Sequence, residues 1–297
     1  MRKIIYTKYS NDRDKQYNIK TRIEEDETGN RYVRKYSDSQ ESSKHILKIY
    51  DNYKKLSDIF RDDGIIMNKC DLIDESCIEY QYIKGISFEE YIAGSNNKSE
   101  LIENIINILD KHATLDFEIG QDFLNYFGAD DYSCLYGKKS MRYSNLDILF
   151  TNLLVDADCL VNIDYEWVVD FLVPVDFIIF RTLFYSSCDE AKGLLENSYR
   201  FSERDIEVYK KMDNTFQNSV MNKHKYLGQM YDEIRINTFG DNFVGNEDEY
   251  IKILDDNRNK KLQIEVLNKV VVDMNNSMSF RITKPLRKIN RILRGKK

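Results

Sequence analysis

Between Asn145 and Trp167 the sequence NLDILFTNLLVDADCLVNIDYEW sets three polar side chains at the edges of two short apolar runs. Asp147 comes first, Asn152 stands five residues on, and Asp164 closes the second run, 17 residues after Asp147. LLVD and CLVNID read as two strands with a turn at Asp156-Ala157-Asp158 between them. Asp and Asn are common in loops on their own account, because they satisfy backbone groups and tolerate turn geometry. A lone D-x-x-x-x-N therefore carries little information. The combination constrains the chain far more: a loop, a strand pair and a second acid, with each polar residue at the end of an apolar run.

The chain before this segment alternates in an ordered way. KIIYTKY, QYNIKTRIEE and RYVRKYS read as three strands within residues 3–37, the last two joined by a turn at Asp26-Glu27-Thr28-Gly29-Asn30. Ser37–Phe60 has helical spacing, with Ile46, Ile49, Tyr50, Tyr53 and Leu56 on one face. Ser37 with Gln40, or Asp38 with Glu41, is a candidate capping pair. GIIMNKCDLID and SCIEYQYIKG read as two further strands, ended by Gly85. SFEEYI then begins a short helix, and residues 99–114 form a strongly amphipathic one. The order is three strands, a helix, two strands, then helices.

Bulk properties exclude several classes. A 297-residue chain with 42% hydrophobic residues has room for a large two-lobed domain and an appendage, or for two ordinary domains. Five cysteines, at 70, 77, 134, 159 and 188, include no C-x-x-C pair, which argues against a disulfide framework or zinc site and for a reducing cytoplasm. His45, His112 and His224 lie too far apart in sequence to suggest a histidine metal centre or a Ser-His-Asp triad, and each reads as a surface or helix residue. The N-terminal segment has no apolar run of signal-peptide length, and no stretch approaches the roughly 18 apolar residues of a spanning helix. The longest apolar stretch, near WVVDFLVPVDFIIFRTLFY, is broken by Asp170, Pro174, Asp176 and Arg181.

The segment from Asp147 to Trp167 resembles the catalytic segment of protein-kinase-like folds. NLDILFTN stands where kinases carry H-R-D-x-x-x-x-N, and IDYE stands where they carry the metal-binding D-F-G. Within that fold it is similar to the bacterial small-molecule kinases of the choline and aminoglycoside kinase branch, which follow D-x-x-x-x-N with I-D-F-E or a relative. IDYEWVVDFLVPVDFIIFR further resembles kinase-like domains of bacterial surface-polysaccharide enzymes. The resemblance covers about residues 15–235 and is strongest at 143–185. It implies an α+β fold: a small antiparallel-sheet lobe at 1–84, a larger, mainly helical lobe at 85–235, and a C-terminal helical extension at 236–297. It implies ATP and Mg2+ as cofactors, Asp147 as catalytic base, and Asn152 and Asp164 as metal ligands. It also puts Lys35, on the third strand, against the nucleotide phosphates, with a helix acid as its partner; Glu41 and Asp51 both qualify by distance. Asn145 replaces the usual histidine, Glu166 replaces a glycine, and the first turn, SNDRDKQ, lacks the Gly-rich loop. Arg13 or Lys15 could supply charge there instead, although exposed loop cations are the ordinary account.

Residues 279–297 hold eight Lys/Arg and no acid, so removing that +8 from the net −6 leaves −14 on the remainder. An acidic body repels nucleic acid, and a basic tail reads as an address. SMSFRITKPLRKINRILRGKK resembles C-terminal tails of bacterial polysaccharide-assembly proteins. Pro285 suits the first position of a helix, and Leu286, Ile289 and Leu293 then line one face among cations, as in helices that lie on anionic membranes. Ile264, Leu267, Val271, Met274 and Met278 form a seam too short for a coiled coil. The leading expectation is a cytoplasmic phosphotransferase, peripheral at the membrane, acting on a sugar or glycan hydroxyl in surface-polysaccharide assembly. The alternative is a weakly active or inactive kinase-like adaptor that recruits glycan-assembly enzymes through the tail.

Overall fold

The computed structural model describes residues 2–221, apart from 11, 12, 62, 157, 158, 198 and 199, together with 244–245 and five positions between 256 and 264. The chain divides into two compact units, Met1–Val244 and Gly245–Lys297. The basic tail, the seam from Leu267 to Met278 and His224 lie outside the described residues, as does the centre of the turn expected at 156–158.

Within the first unit, Lys3–Tyr9 (β1), Ile19–Glu25 (β2) and Arg31–Ser37 (β3) pair antiparallel in succession. The β2–β3 turn closes on Asp26, whose carboxylate accepts from the Thr28 and Asn30 backbone N–H groups, each at 2.9 Å. These bonds, with the one from the Thr28 hydroxyl, hold the Asp26 carboxyl below its ordinary range. Gln40–Ile59 (α1) follows. Neither candidate capping pair starts it: Ser39 is the N-cap and exchanges bonds with Ser42. Ser37 is still committed to the sheet, where its N–H donates to Ser76 O at 2.8 Å, so the helix cannot begin there. The buried face of α1 carries Ser42, His45, Ile46, Ile49, Asn52 and Leu56 at helical spacing.

The expected strand GIIMNKCDLID is two strands. Ile65–Met67 (β4) pairs parallel with a later strand, whereas Cys70–Asp74 (β5) pairs antiparallel with Cys77–Gln81 (β6). Asn68 makes the break: its backbone N–H donates to Asn162 O at 2.9 Å, and its side chain donates to Gln81 O at 3.0 Å. The strands of the first sheet run in the order β1-β2-β3-β6-β5. After Gly85 come Ile86–Ser87 (β7), Phe88–Ala93 (α2) and Lys98–His112 (α3). Ser87 and Glu90 form a reciprocal cap on α2, and Ile102, Ile105 and Leu109 bury the inner face of α3.

Leu115–Asp116 (β8), Gln121–Phe127 (α4) and Lys139–Asn145 (β9) lead to the hairpin Leu153–Asp156 (β10) and Cys159–Asn162 (β11). β11 is the strand that takes β4 in parallel. Val168–Pro174 (β12) returns antiparallel to β9, with Val168 opposite Asn145. Val175–Phe184 (α5), Asp189–Asn197 (α6) and Glu203–Val220 (α7) complete the unit. α5 is apolar nearly all round, and Phe177, Ile178, Ile179, Phe180 and Leu183 are almost wholly buried. Each side chain of that kind contributes about 1.5–3 kcal/mol of burial energy. All five cysteines are free. Among the described residues no helix is long and apolar enough to cross a membrane.

Gly85 lets the chain pass close to β10. A Cβ at this position would lie 2.5 Å from the Val155 carbonyl oxygen, so one backbone or the other must move. We expect Gly85→Ala to lower unfolding stability by about 1–3 kcal/mol in urea denaturation, the usual cost of overpacking.

Candidate active site

Two short repeats, Asn145-Leu146-Asp147 and Asn162-Ile163-Asp164, fix the two aspartates by the same device. The Asn145 Oδ1 accepts from the Asp147 N–H at 3.0 Å, and the Asn162 Oδ1 accepts from the Asp164 N–H at 3.1 Å. Each asparagine folds its own turn, a common local habit of the residue. Asn145 also donates from Nδ2 to Asp164 O at 3.3 Å, and Leu146 N–H donates to Trp167 O at 2.8 Å. The β9–β12 ladder thus runs on into the two loops and holds them side by side.

Asn152 joins them from the far end of the first loop. Its Nδ2 donates to Asp147 O at 3.1 Å, and its own carbonyl accepts from Ile163 N–H at 2.9 Å. The amide nitrogen is thereby occupied, which leaves Oδ1 as the atom to offer a hard cation. Asp164 is the open carboxylate of the group: its side chain is 33% exposed, against 14% for Asp147 and 2% for Glu166. Among the described residues no three His, Cys, Asp or Glu side chains converge as a ready-made metal cage. A Mg2+ ion does not need one, because it keeps several waters and uses one or two carboxylates with phosphate oxygens. Asn152 and Asp164 fit that requirement.

Lys35 reaches the site from β3. Its Nζ lies 2.9 Å from Asp164 Oδ1 and 3.4 Å from Glu166 Oε2. Burial pushes the Lys35 ammonium down, but Asp164 and Glu166 outweigh it and hold its pKa above the ordinary value. Glu166 gathers further donors. His45 on α1 meets Glu166 Oε1 at 2.7 Å, and the Arg13 guanidinium pairs with the same oxygen. Burial pushes the Glu166 carboxyl up, yet Arg13, Lys35 and His45 prevail and hold it well below the usual carboxylate range. Asn52, also on α1, donates to the backbone oxygens of Tyr165 and Glu166 at 3.1 and 3.2 Å, while the Tyr165 hydroxyl donates to Asn68 O at 2.7 Å.

The helix acids weighed from the sequence stand elsewhere. Glu41 is exposed in the first turn of α1, and exposed Asp51 pairs with Lys54 at 2.7 Å. Asp51 lies on the side of the helix away from His45 and Asn52, and Glu41, one turn before His45, sits exposed at the helix start, so the ion-pair partners of Lys35 are Asp164 and Glu166 instead. His45 is therefore no surface histidine. Two polar residues one heptad apart on an apolar helix face were its available signal. Trp167 packs edge-on against Tyr17 at 5.0 Å and Phe216 at 5.7 Å. His112 reads differently again: its Nε2 meets Asp63 at 2.6 Å.

A buried cation lies behind Asp147. Arg181 on α5 is 2% exposed, donates from Nε to Leu146 O at 2.9 Å, and pairs with Asp213 of α7. Its NH2 lies 3.8 Å from Asp147 Oδ1. Burial pushes the Asp147 carboxyl up to about 8, the nearby Asp164 charge adds to that, and Arg181 opposes it. The motif spacing disclosed Asp147 but not Arg181 or Asp213, which come from distant helices.

No protein-family model matches the chain, and no curated protein matches it. Solved structures similar to it include LicA in complex with AMP, at 15% identity and a TM-score of 0.39, covering 67% of this chain and 77% of that one. The gentamicin complex of APH(2'')-IIa has 13% identity and a TM-score of 0.41, covering 92% of each chain. The macrolide 2'-phosphotransferase MphH from Brachybacterium faecium has 9% identity and a TM-score of 0.38, covering 68% of this chain and 81% of its own.

The raised Asp147 pKa gives a signed expectation. Its folded value of about 8 lies above the 3.8 of an ordinary Asp, so the folded state keeps a proton that the unfolded chain gives up. Stability then falls as pH rises between those values and levels off above the folded pKa. Asp147→Asn cannot lose that proton. In melting curves from pH 5 to 8, the variant should gain on the wild type by up to about 1.4 kcal/mol per pH unit, with no further gain above about pH 8. A constant difference across the range contradicts the shift.

Proposed function

We propose that this chain is a protein-kinase-like phosphotransferase that uses ATP and Mg2+ to phosphorylate a sugar or glycan hydroxyl in bacterial surface-polysaccharide assembly. Residues 1–84 and 85–235 are its two lobes, and 236–297 its extension. The supporting observation is the convergence of Asp147, Asn152 and Asp164 on one site with Lys35, although Lys35 arrives from a different sheet. The substrate class rests on the motif resemblance at 143–185.

In this reading Mg2+, when bound, would supply positive charge against the negative charge that builds on the phosphates. Asn152 Oδ1 and the Asp164 carboxylate would hold it. Lys35 Nζ neutralises phosphate oxygens beside them. Asp147 orients the acceptor hydroxyl and takes its proton as the oxygen bonds to the terminal phosphorus, while the bond to the leaving nucleoside diphosphate breaks. A carboxyl with a pKa of about 8 must first be ionised, and neutralising Asp164 removes one of the causes that keep its proton on. Glu166, sealed and ionised, is a fixed anchor for Lys35 rather than a group that meets the acceptor.

The second reading is an adaptor of the same fold that recruits glycan-assembly enzymes. The glycine-free connection between β1 and β2 favours it. Millimolar Mg-ATP should raise the wild-type melting temperature, because a ligand of the native state stabilises it by mass action. Asp147→Asn should keep that shift while phosphoryl transfer to a glycan acceptor falls by about two orders of magnitude or more. A thermal shift without transfer to any glycan hydroxyl in the wild type favours the adaptor, and no shift at all defeats the phosphotransferase.

Both readings place the basic tail at the inner membrane face. Full-length protein should sediment with anionic liposomes and release as salt rises, since exposed charges are screened within about 8–10 Å at physiological ionic strength. A chain ending at Met278 should stay in solution. Equal behaviour of the two removes the tail as an anchor.

A further inference from the structure

A loop that cradles phosphate with its backbone needs free amide hydrogens and a close approach, which is why glycine suits the task. The connection from Ser10 to Asn18 has no glycine, and most backbone amides among its described residues are engaged elsewhere. Arg13 N–H donates to Ser10 O at 3.2 Å, Asp14 N–H to Val220 O at 2.8 Å, Tyr17 N–H to Asp14 O at 2.8 Å, and Asn18 N–H to Lys15 O at 3.3 Å. Gln16 N–H turns to the Asp14 carboxylate at 3.5 Å. The Asp14 bond, with a bridge between Arg13 and Met221, pins the loop to the end of α7.

From this pinned backbone the Arg13 side chain turns inward. Its guanidinium pairs with Glu166 and lies 5.5 Å from the centre of the Trp167 ring. Glu166 also holds Lys35, so two cations from separate stretches of chain share one buried carboxylate. Arg13 and Lys35 together set two cations against the carboxylates of Asp164 and Glu166, on the side of the site that faces the phosphates in this reading.

We propose that the Arg13 side chain binds the phosphates of the nucleotide. This rests on the phosphotransferase reading of the site. A guanidinium presents five N–H donors in a planar fork that matches phosphate oxygens, and such a group can serve a carboxylate and a phosphate together. Glu166 holds the long side chain in place beforehand, which removes much of the ordering cost of binding. Lys15, two residues on, is exposed and serves as the control.

Calorimetric titration of the full chain with Mg-ATP and with adenosine tests this, with melting curves of each free variant to verify folding. The Mg-ATP Kd should rise at least about tenfold in Arg13→Ala, the loss expected for a charge-assisted hydrogen bond. Arg13→Lys should recover part of the loss, adenosine binding should be unchanged, and Lys15→Ala should match the wild type. If the wild type binds Mg-ATP and Arg13→Ala binds it equally well or more tightly, the assignment to Arg13 is wrong while the phosphotransferase reading stands. An equal loss of adenosine binding also overturns it, because the arginine then shapes the site rather than reading phosphate. A wild type that binds no nucleotide overturns both.

Discussion

One buried carboxylate organises the site. Glu166 is 2% exposed and ionised, and a charge so placed must be matched by partners. Its partners arrive from three separate stretches of chain: Arg13 from the first loop, Lys35 from β3 and His45 from α1. The first sheet, the long helix and the loop after β11 are thereby tied to the same two oxygens. The polar face of α1 follows from this. His45 meets the carboxylate itself, and Asn52 saturates the backbone oxygens beside it, so two positions that would otherwise be apolar serve one anion.

The three acids differ in what surrounds them, and that difference separates their chemistry. Glu166 is enclosed by cations and stays ionised. Asp147 is buried with a distant guanidinium on one side and a like charge on the other, so it holds its proton. Asp164 is open to solvent and to ligand. Sequence alone presents them as three carboxylates within 20 residues. In the proposed reaction their separation into anchor, proton acceptor and ligand comes from burial and from Arg13, Lys35 and Arg181, all of which lie outside that segment.

The strand and helix order was legible because alternation and helical spacing are local properties. The first three strands, the face of α1 and the hairpin around Asp147–Asp164 follow from apolar periodicity and turn residues. Asp147, Asn152 and Asp164 were legible as candidates because their spacing lies within one segment. What escaped the sequence depends on distant partners. The run from Gly64 to Asp74 looks continuous, and only its two different neighbours, β11 and β6, divide it. α1 starts later than its spacing suggests because the Ser37 N–H is still bonded to Ser76, in the turn just before β6. His45 looked like one histidine among three, and only the fold brought it to Glu166. Glu41 and Asp51 qualify by distance along the chain, but Asp51 faces outward and Glu41 sits in the exposed first turn.

Asn68, where that run divides, has a mechanical meaning. Its N–H holds β11, its side chain holds β6, and its carbonyl accepts the Tyr165 hydroxyl. On one side lies the sheet that carries Lys35, and on the other the hairpin that leads into Asp164. The residue is a rivet through both: three hydrogen bonds at one position join the sheet to the hairpin. The spacing of Lys35 and Asp164 therefore rests in part on a side chain that takes no part in the chemistry of the site.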